Sequence, residues 1–298
     1  MTSSTTEVRA AEARTTRTAW DSGLKVRDGL ATLGPDALAL RSALDARFAA
    51  WGEGEGARAM AYPPLMATAD LAKVDYFANF PHLGMLAGGL SREAVESGYP
   101  GETPVDSVPG GRLAAAAHAL PPAACYGVYF DLAGVRLDGG ARRVTTVANC
   151  FRREDYFDEL RRLRGFTMRE IVCVGDRDSV LAHLAHFKQV LLDHVAALGL
   201  PLEVEAATDP FFDPNGARAL SQKLFPVKEE FVYGGSLAIA SVNFHRNFFG
   251  ERCDITTGDG EPAYTGCVAF GLERWLSALG DHFGENPAAL LRRIDSVE

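Results

Sequence analysis

The sequence predicts an α+β protein in which an antiparallel sheet is flanked by helices. Three observations carry this. Strand-like runs cluster in the middle of the chain, apolar stripes at helical spacing lie on either side of them, and no regular alternation of strand and helix, the mark of a parallel sheet, runs through it. At 298 residues there is room for one large domain or two ordinary ones, with a sizeable core in either case.

Taken in order, residues 1–19 are polar and rich in Thr, Ala and Arg, which predicts a poorly ordered tail. From Asp36 to Trp51 the residues Leu40, Leu44, Phe48 and Trp51 recur at helical spacing, and the GEGEG of 52–56 stops the pattern. Pro63 and Pro64 open a unit whose helix runs from Leu65 to Tyr76. The Gly/Pro-rich stretch 99–111 reads as loop. Strands are predicted at 124–132 and 142–151, with the turn LDGG between them, and at 166–174 after the charged connection DYFDELRRLRG. Asp178 or Ser179 can cap a long helix to Leu198, with Leu181, Leu184, Phe187, Leu191, Val195 and Leu198 as one stripe before Gly199 ends it. LEVEAAT, FVYGG and SLAIASVNFH follow as strands. A helix from Gly271 to about His282 places Leu272, Trp275, Leu276 and Leu279 on one face.

Composition narrows the function. Hydrophobic residues at 47% and charged ones at 23% give the ordinary soluble globular balance. No apolar run approaches the roughly 18 residues of a membrane span, and the N-terminus lacks the apolar stretch of a secretory signal, which predicts a cytoplasmic protein that engages no membrane. Five cysteines without a C-x-x-C pair fit a reducing compartment and exclude zinc ribbons and thioredoxin-type motifs. A net charge of −9 argues against affinity built on neutralising many phosphates.

No P-loop, no G-x-G-x-x-G after a strand, no H-E-x-x-H and no G-x-S-x-G is present. The informative segment is CFRREDYFDELRRLRGFTMREIV. Strand alternation points Arg152 and Glu154 the same way, and sets Phe166, Met168 and Glu170 on one face of the returning strand. A cation, an acid and an aromatic ring suit a nucleotide, serving its phosphate, its exocyclic amine and its base. A charged hairpin solvated on one side fits the same spacing. On the last helix Arg274 lies off the apolar stripe, free to reach a ligand or simply solvated.

The order F-R-x-E, variable loop, F-x-x-x-E resembles motif 2 of class II aminoacyl-tRNA synthetases, and TGCVAFGLERWLSAL resembles motif 3. The runs MAYPPLM, YFANFPHL, PPAACYGVY, NCFRRE, GFTMREIVCVG, TDPFFD, ASVNFHRNFFG and TGCVAFGLERW resemble the amino acid:[carrier protein] ligases, relatives of atypical seryl-tRNA synthetases, over about residues 24–282. The resemblance implies that residues 20–298 form a class II synthetase catalytic core without the tRNA-binding coiled-coil arm, expected as a homodimer. It also implies activation of a small amino acid by ATP and loading onto the phosphopantetheine thiol of an acidic holo carrier protein, with no tRNA involved. Glycine, alanine and serine remain open as the substrate.

The resemblance assigns roles residue by residue. Cys125, Glu170 and Cys267 correspond to the family's Zn²⁺ ligands, and two thiolates with a carboxylate leave a tetrahedral position open for the substrate's α-amino group. Cys150, Cys173 and Cys253 read as small buried apolar residues. Arg152 would hold the α-phosphate, Glu154 the adenine amine, Phe166 the base and Arg274 the γ-phosphate. Where typical synthetases place a Mg²⁺-binding acid before a strand serine, this chain offers Ala238 and Ser241, so Glu230 is the substitute ligand for the Mg²⁺ that accompanies ATP. Ser241, Asn243 and His245, in a stretch resembling S-x-N-x-H, would line the amino acid pocket; a core histidine satisfied by a backbone carbonyl is the other reading of His245. His183 and His186 read as surface residues. Arg161, Arg162 and Arg164 either meet the carrier protein, close over ATP, or pair with Asp155, Asp158 and Glu159. Two alternatives stand beside the ligase. One is a seryl-tRNA synthetase, weakened because residues 1–60 cannot supply a long heptad hairpin. The other is a silent paralogue with a binding or regulatory role, favoured by Ala238 and disfavoured by the intact site residues.

Overall fold

The structure, a computed structural model, describes residues 24–98, 107–284 and 286–297; the predicted tail and residues 99–106 of the predicted loop lie outside these. Among the described residues nine strands form one sheet. They are β1 (Lys25–Arg27), β2 (Leu30–Thr32), β3 (Arg58–Met60), β4 (Arg142–Phe151), β5 (Gly165–Gly175), β6 (Glu203–Ala207), β7 (Lys228–Tyr233), β8 (Leu237–Arg246) and β9 (Tyr264–Gly271). The body of the sheet runs β4, β5, β9, β8, β7, β6, antiparallel throughout, with β3 added in parallel outside β4. The helices are α1 (Pro35–Gly54), α2 (Cys125–Asp131), α3 (Arg177–Leu198), α4 (Ala217–Leu224), α5 (Phe248–Cys253), α6 (Leu272–Phe283) and α7 (Pro287–Ser296), with shorter helical turns at Thr68–Lys73, Tyr76–Asn79 and Arg92–Glu96.

Side chains alternate along a strand, so register decides which residues share a face. Cys267 lies opposite Asn243 and Val172, and Ala269 opposite Ser241 and Glu170. Glu230 faces Ser241, and Lys228 faces Asn243. One face therefore carries Phe166, Met168, Glu170, Cys267, Ala269, Ser241, Asn243, Glu230 and Lys228. The opposite face carries Ile171, Cys173, Val268 and Phe270, and α1, α3, α6 and α7 cover it with Leu40, Leu44, Phe48, Leu191, Trp275 and Ile294. Phe48 stacks on Phe270 with centroids 4.1 Å apart. Two polar ties sit within this layer: Asp45 accepts two hydrogen bonds of 2.7 Å from Arg169, and Glu273 accepts one of 2.7 Å from the Thr167 N–H.

The structure departs from the sequence reading at several elements. Residues 124–132, predicted as a strand, contain helix α2. Their β-branched and aromatic content suggested a strand, but Cys125, Val128 and Tyr129 are the buried set, a spacing of three and four that only a helix turns to one side. A Cβ at Gly127 would stand 2.7 Å from the Tyr62 ring, so this helix packs where only glycine fits. α1 continues through Trp51 to Gly54 before the turn. The predicted helix 65–76 is instead a short strand, Met66–Ala67, then two helical turns broken at Asp75, whose φ of +54° is left-handed. α3 starts earlier than expected, because Asp176 caps it by accepting from the Ser179 N–H at 2.8 Å and the Ser179 hydroxyl at 2.7 Å. The helices α4, α5 and α7 had no counterpart in the sequence reading.

Candidate functional site

The functional face opens into two adjoining cavities, of about 390 and 90 Å³. Cys125, Glu170, Asn243, His245 and Cys267 line the larger; Glu154, Phe166, Glu230 and Arg274 line the smaller; Arg152 and Ser241 line both. The residues assigned in the sequence to zinc, the amino acid, the nucleotide and Mg²⁺ thus border two spaces that share lining residues, and of the three loop arginines Arg161 does so too.

At the floor of the larger cavity Cys125, Glu170 and Cys267 present ligand atoms all within 4.8 Å of one another, and all three residues are buried. α2 delivers Cys125, β5 Glu170 and β9 Cys267. Glu170 Oε1 accepts from the N–H groups of Ala124 at 2.8 Å and Cys125 at 3.2 Å, which ties the start of α2 to the sheet, while Glu170 Oε2 is buried with no hydrogen-bond partner. A carboxylate oxygen left so is costly unless a cation or proton meets it. The neighbouring Cys125 thiol draws the Cys267 thiol down, but burial and the Glu170 charge outweigh this and leave it at about 11. The same proximity to Cys267, with burial and Glu170, pushes Cys125 well above the usual thiol range. Two thiols and an acid held this close repel one another when ionised, and a divalent cation is the group that turns that repulsion into attraction. The donor set of two sulfurs and one oxygen fits Zn²⁺ with a position left open.

Above this cluster Asn243 Nδ2 lies 3.5 Å from Cys267 Sγ and 3.0 Å from Ser241 Oγ. His245 Nε2 lies 4.0 Å from Cys267 Sγ, and its Nδ1 meets the Tyr129 hydroxyl at 3.2 Å and the Thr265 hydroxyl at 3.4 Å. Its partners are side chains, two of them the buried Tyr129 and Thr265 hydroxyls, and not the backbone carbonyl of the alternative reading. Burial pulls its pKa down to about 4, Asp209 opposing and Lys228 assisting, so the ring is neutral near pH 7. The carbonyl arrangement occurs instead at His183, whose Nε2 lies 3.3 Å from Ile171 O; His183 is buried rather than on the surface as expected. His186 is half-exposed and pairs with Glu55.

In the smaller cavity the Arg152 guanidinium lies over the Phe166 ring, 5.1 Å from its centroid. Glu154 Oε2 accepts from Arg162, which also stacks on Tyr156. Arg274 is not the freely swinging group its helix position suggested. Its Nε donates to Arg161 O and its Nη1 to Ala238 O, both at 2.9 Å, so two carbonyls hold its guanidinium at the cavity wall. Arg161 pairs with Asp158 and Arg164 donates to Asp28 O, so each of the three loop arginines has a partner within the chain.

Two residues the sequence reading left without a role stand here. Lys228 pairs with Asp209 at 3.3 Å and with Glu230 at 3.0 Å. Burial opposes ionisation of Asp209, but Lys228 and a hydrogen bond from Gln222 outweigh it and hold its carboxyl below the usual range. Asp209 lay within the TDPFFD run, and Lys228 two positions before Glu230 on one strand face, so period-two spacing was the available signal for Lys228.

The sequence is 37% identical over 260 residues to amino acid:[acyl-carrier-protein] ligase 1 of Bradyrhizobium diazoefficiens, covering 81% of this chain and 76% of that relative. It is 35% identical over 243 residues to ligase 2 of the same organism, covering 77% and 71%. The chain belongs to the amino acid:[acyl-carrier-protein] ligase family. No family model matches it. Among solved structures, M. kandleri SerRS, in complex with A. aeolicus tRNASec, superposes with a TM-score of 0.75 at 18% identity over 93% of this chain. Cytoplasmic serine-tRNA ligase from Naegleria fowleri, in complex with AMP, gives 0.65 at 12% over 91%. This ligase-family chain spans 59% and 55% of those two, and it shares with them the class II synthetase fold. Among the described residues no helix is long and apolar enough to cross a membrane.

Proposed function

We propose that the chain activates a small amino acid with ATP, forming aminoacyl-AMP, and passes the aminoacyl group to the phosphopantetheine thiol of a carrier protein. The observation that carries this reading is the boundary between the cavities. A cysteine and carboxylate cluster floors one, a set of nucleotide-binding character lines the other, and Arg152 belongs to both. An amino acid carboxylate in the larger space then meets the α-phosphate of a nucleotide in the smaller.

Cys125, Glu170 and Cys267 would hold Zn²⁺, which when bound supplies a Lewis-acidic position for the amino acid's α-amino group. Ser241, Asn243 and His245 line the pocket around it. Phe166 stacks on adenine, Glu154 accepts from its amino group, Arg152 holds the α-phosphate and Arg274 the γ-phosphate. Mg²⁺ accompanies ATP, with Glu230 as its candidate protein ligand. A carboxylate oxygen attacks the α-phosphorus, one O–P bond forms, and pyrophosphate leaves with the electron pair of the bond that breaks. The carboxylate is already ionised, so positioning and charge stabilisation suffice without a general base. In the second step the carrier's thiolate attacks the carbonyl carbon, and AMP leaves as the thioester forms. The names of the B. diazoefficiens relatives support the carrier protein as acceptor.

The test is ATP and pyrophosphate exchange across all amino acids, with metal analysis of chelator-free protein and acceptor assays. Exchange with glycine, alanine or serine is expected, with about one zinc per chain and a thioester on a holo carrier protein. Protein that charges total tRNA but loads no holo carrier protein would replace this reading with a seryl-tRNA synthetase, and absence of exchange with every amino acid would favour the silent paralogue.

A further inference from the structure

The boundary between the two cavities is bordered by Arg152, Met168, Lys228, Ser241 and Ala269. Two of these are cations, and only Arg152 has been given a task. We propose that Lys228 is a catalytic residue of the activation step, its ammonium stabilising the α-phosphate oxygens while the amino acid carboxylate attacks. The proposal rests on the adenylation reading above and adds to it a second positive charge at the reacting centre.

Placement is the first argument. β7 sets Lys228 opposite Asn243 and Glu230 opposite Ser241, so the lysine rises from the same face as the residues around the amino acid and the nucleotide. Its Nζ is 3.3 Å from Asp209, which lines the larger cavity, and 3.0 Å from Glu230, which lines the smaller. One carboxylate on each side thus holds the ammonium where the two spaces join, and its side chain is only 16% exposed. An ammonium offers three N–H donors, so two carboxylates do not exhaust it.

Charge is the second argument. Attack on the α-phosphorus places growing negative charge on oxygens that repel the incoming carboxylate, and fixed cations at that point are what speed such a step. At Ala238 and Ser241 the chain offers no carboxylate to hold a metal there. A compact ammonium on a flexible stem supplies the charge from the protein itself. In the step the carboxylate O–P bond forms and the bond to pyrophosphate breaks; Lys228 donates hydrogen bonds and keeps its proton.

The competing role is a pin that fixes the Asp209 segment to β7. Pyrophosphate exchange separates the two. Lys228→Met should lower kcat by about tenfold or more, with KM for ATP and amino acid within about twofold of wild type and zinc content unchanged, while the melting temperature falls because Asp209 and Glu230 lose their cation. Lys228→Arg, which retains the charge, should recover most of the rate. If Lys228→Met does not fold, Lys228→Gln keeps a polar partner for both carboxylates and should show the same loss. A wild-type kcat in these variants, or a raised KM for the amino acid with kcat unchanged, would overturn the catalytic role and leave the adenylation reading standing. Wild-type protein that exchanges with no amino acid would remove both.

Discussion

The two faces of the sheet are made by the same strands with the same two-residue period, yet they do different work. On one, Ile171, Val268 and Phe270 meet four helices and exclude water. On the other, one residue away along each strand, Glu170, Cys267 and Ala269 border open cavities. The covered face selects for volume, and many substitutions that preserve volume would serve it. The open face selects for particular atoms, since a sulfur or a carboxylate cannot be exchanged for something of equal size. A one-residue slip in register would exchange the two sets, which is why the buried face also secures the chemistry of the exposed one.

That division predicts that substitutions on the two faces fail in different assays. The largest effect belongs to the covered face. Phe270 is fully buried and stacked on Phe48, so Phe270→Ala should cost about 3 to 5 kcal/mol of stability. Urea unfolding would measure it, and the fraction that remains folded should still bind zinc. A shift under about 1 kcal/mol would mean that this face is less tightly packed than its contacts indicate. Next in size is the open face. A hydrogen bond to a charged group contributes about 1.5 to 3 kcal/mol, so Arg152→Ala should slow pyrophosphate exchange by about tenfold or more with little change in the urea midpoint. Exchange at the wild-type rate would remove Arg152 from the nucleotide site.

The same contrast explains what was legible in the sequence. The runs that form β4, β5 and β8 were legible as strands from their β-branched and aromatic content. Alternation set Phe166 with Met168 and Glu170 on one face of β5, but it does not describe Arg152 and Glu154, because β4 ends at Phe151 and both stand beyond it. The cluster of Cys125, Glu170 and Cys267 was not, because separations of 45 and 97 residues leave no local signal. Only the register that sets Ala269 beside Glu170, together with α2 docking over it, joins them. A resemblance to a family pointed to these residues; periodicity did not. α2 was misread because its aromatic and β-branched residues have strand preferences that its packing against Tyr62 and the sheet overrides. Asp209 and Lys228 went unassigned for the opposite reason. Each looks like an ordinary surface charge until β7 and the segment before it bring them together at the boundary of the cavities.

The effect that is smallest near neutral pH concerns acid, and it belongs to the covered face. His194 is buried against Trp51, with ring centroids 4.9 Å apart, and neither of its nitrogens has a hydrogen-bond partner. Burial, assisted by the charge of Arg47, lowers its pKa from 6.5 to about 4. The folded protein therefore keeps this ring neutral while the unfolded chain protonates it. A depressed folded-state pKa means full stability above about 6.5, and loss as pH falls from there toward about 4. Over that window one such group changes stability by up to about 1.4 kcal/mol per pH unit. His194→Leu removes the titrating group and two unsatisfied polar atoms, so near pH 7.5 the variant should be about as stable as wild type or slightly more so. Between pH 6.5 and 4 its urea midpoint should fall less steeply, and because every other histidine is common to both proteins, the difference between the two curves isolates this one. Parallel curves would show that His194 is protonated in the fold, and hence that water reaches a layer the packing of Trp51 and Trp275 describes as dry.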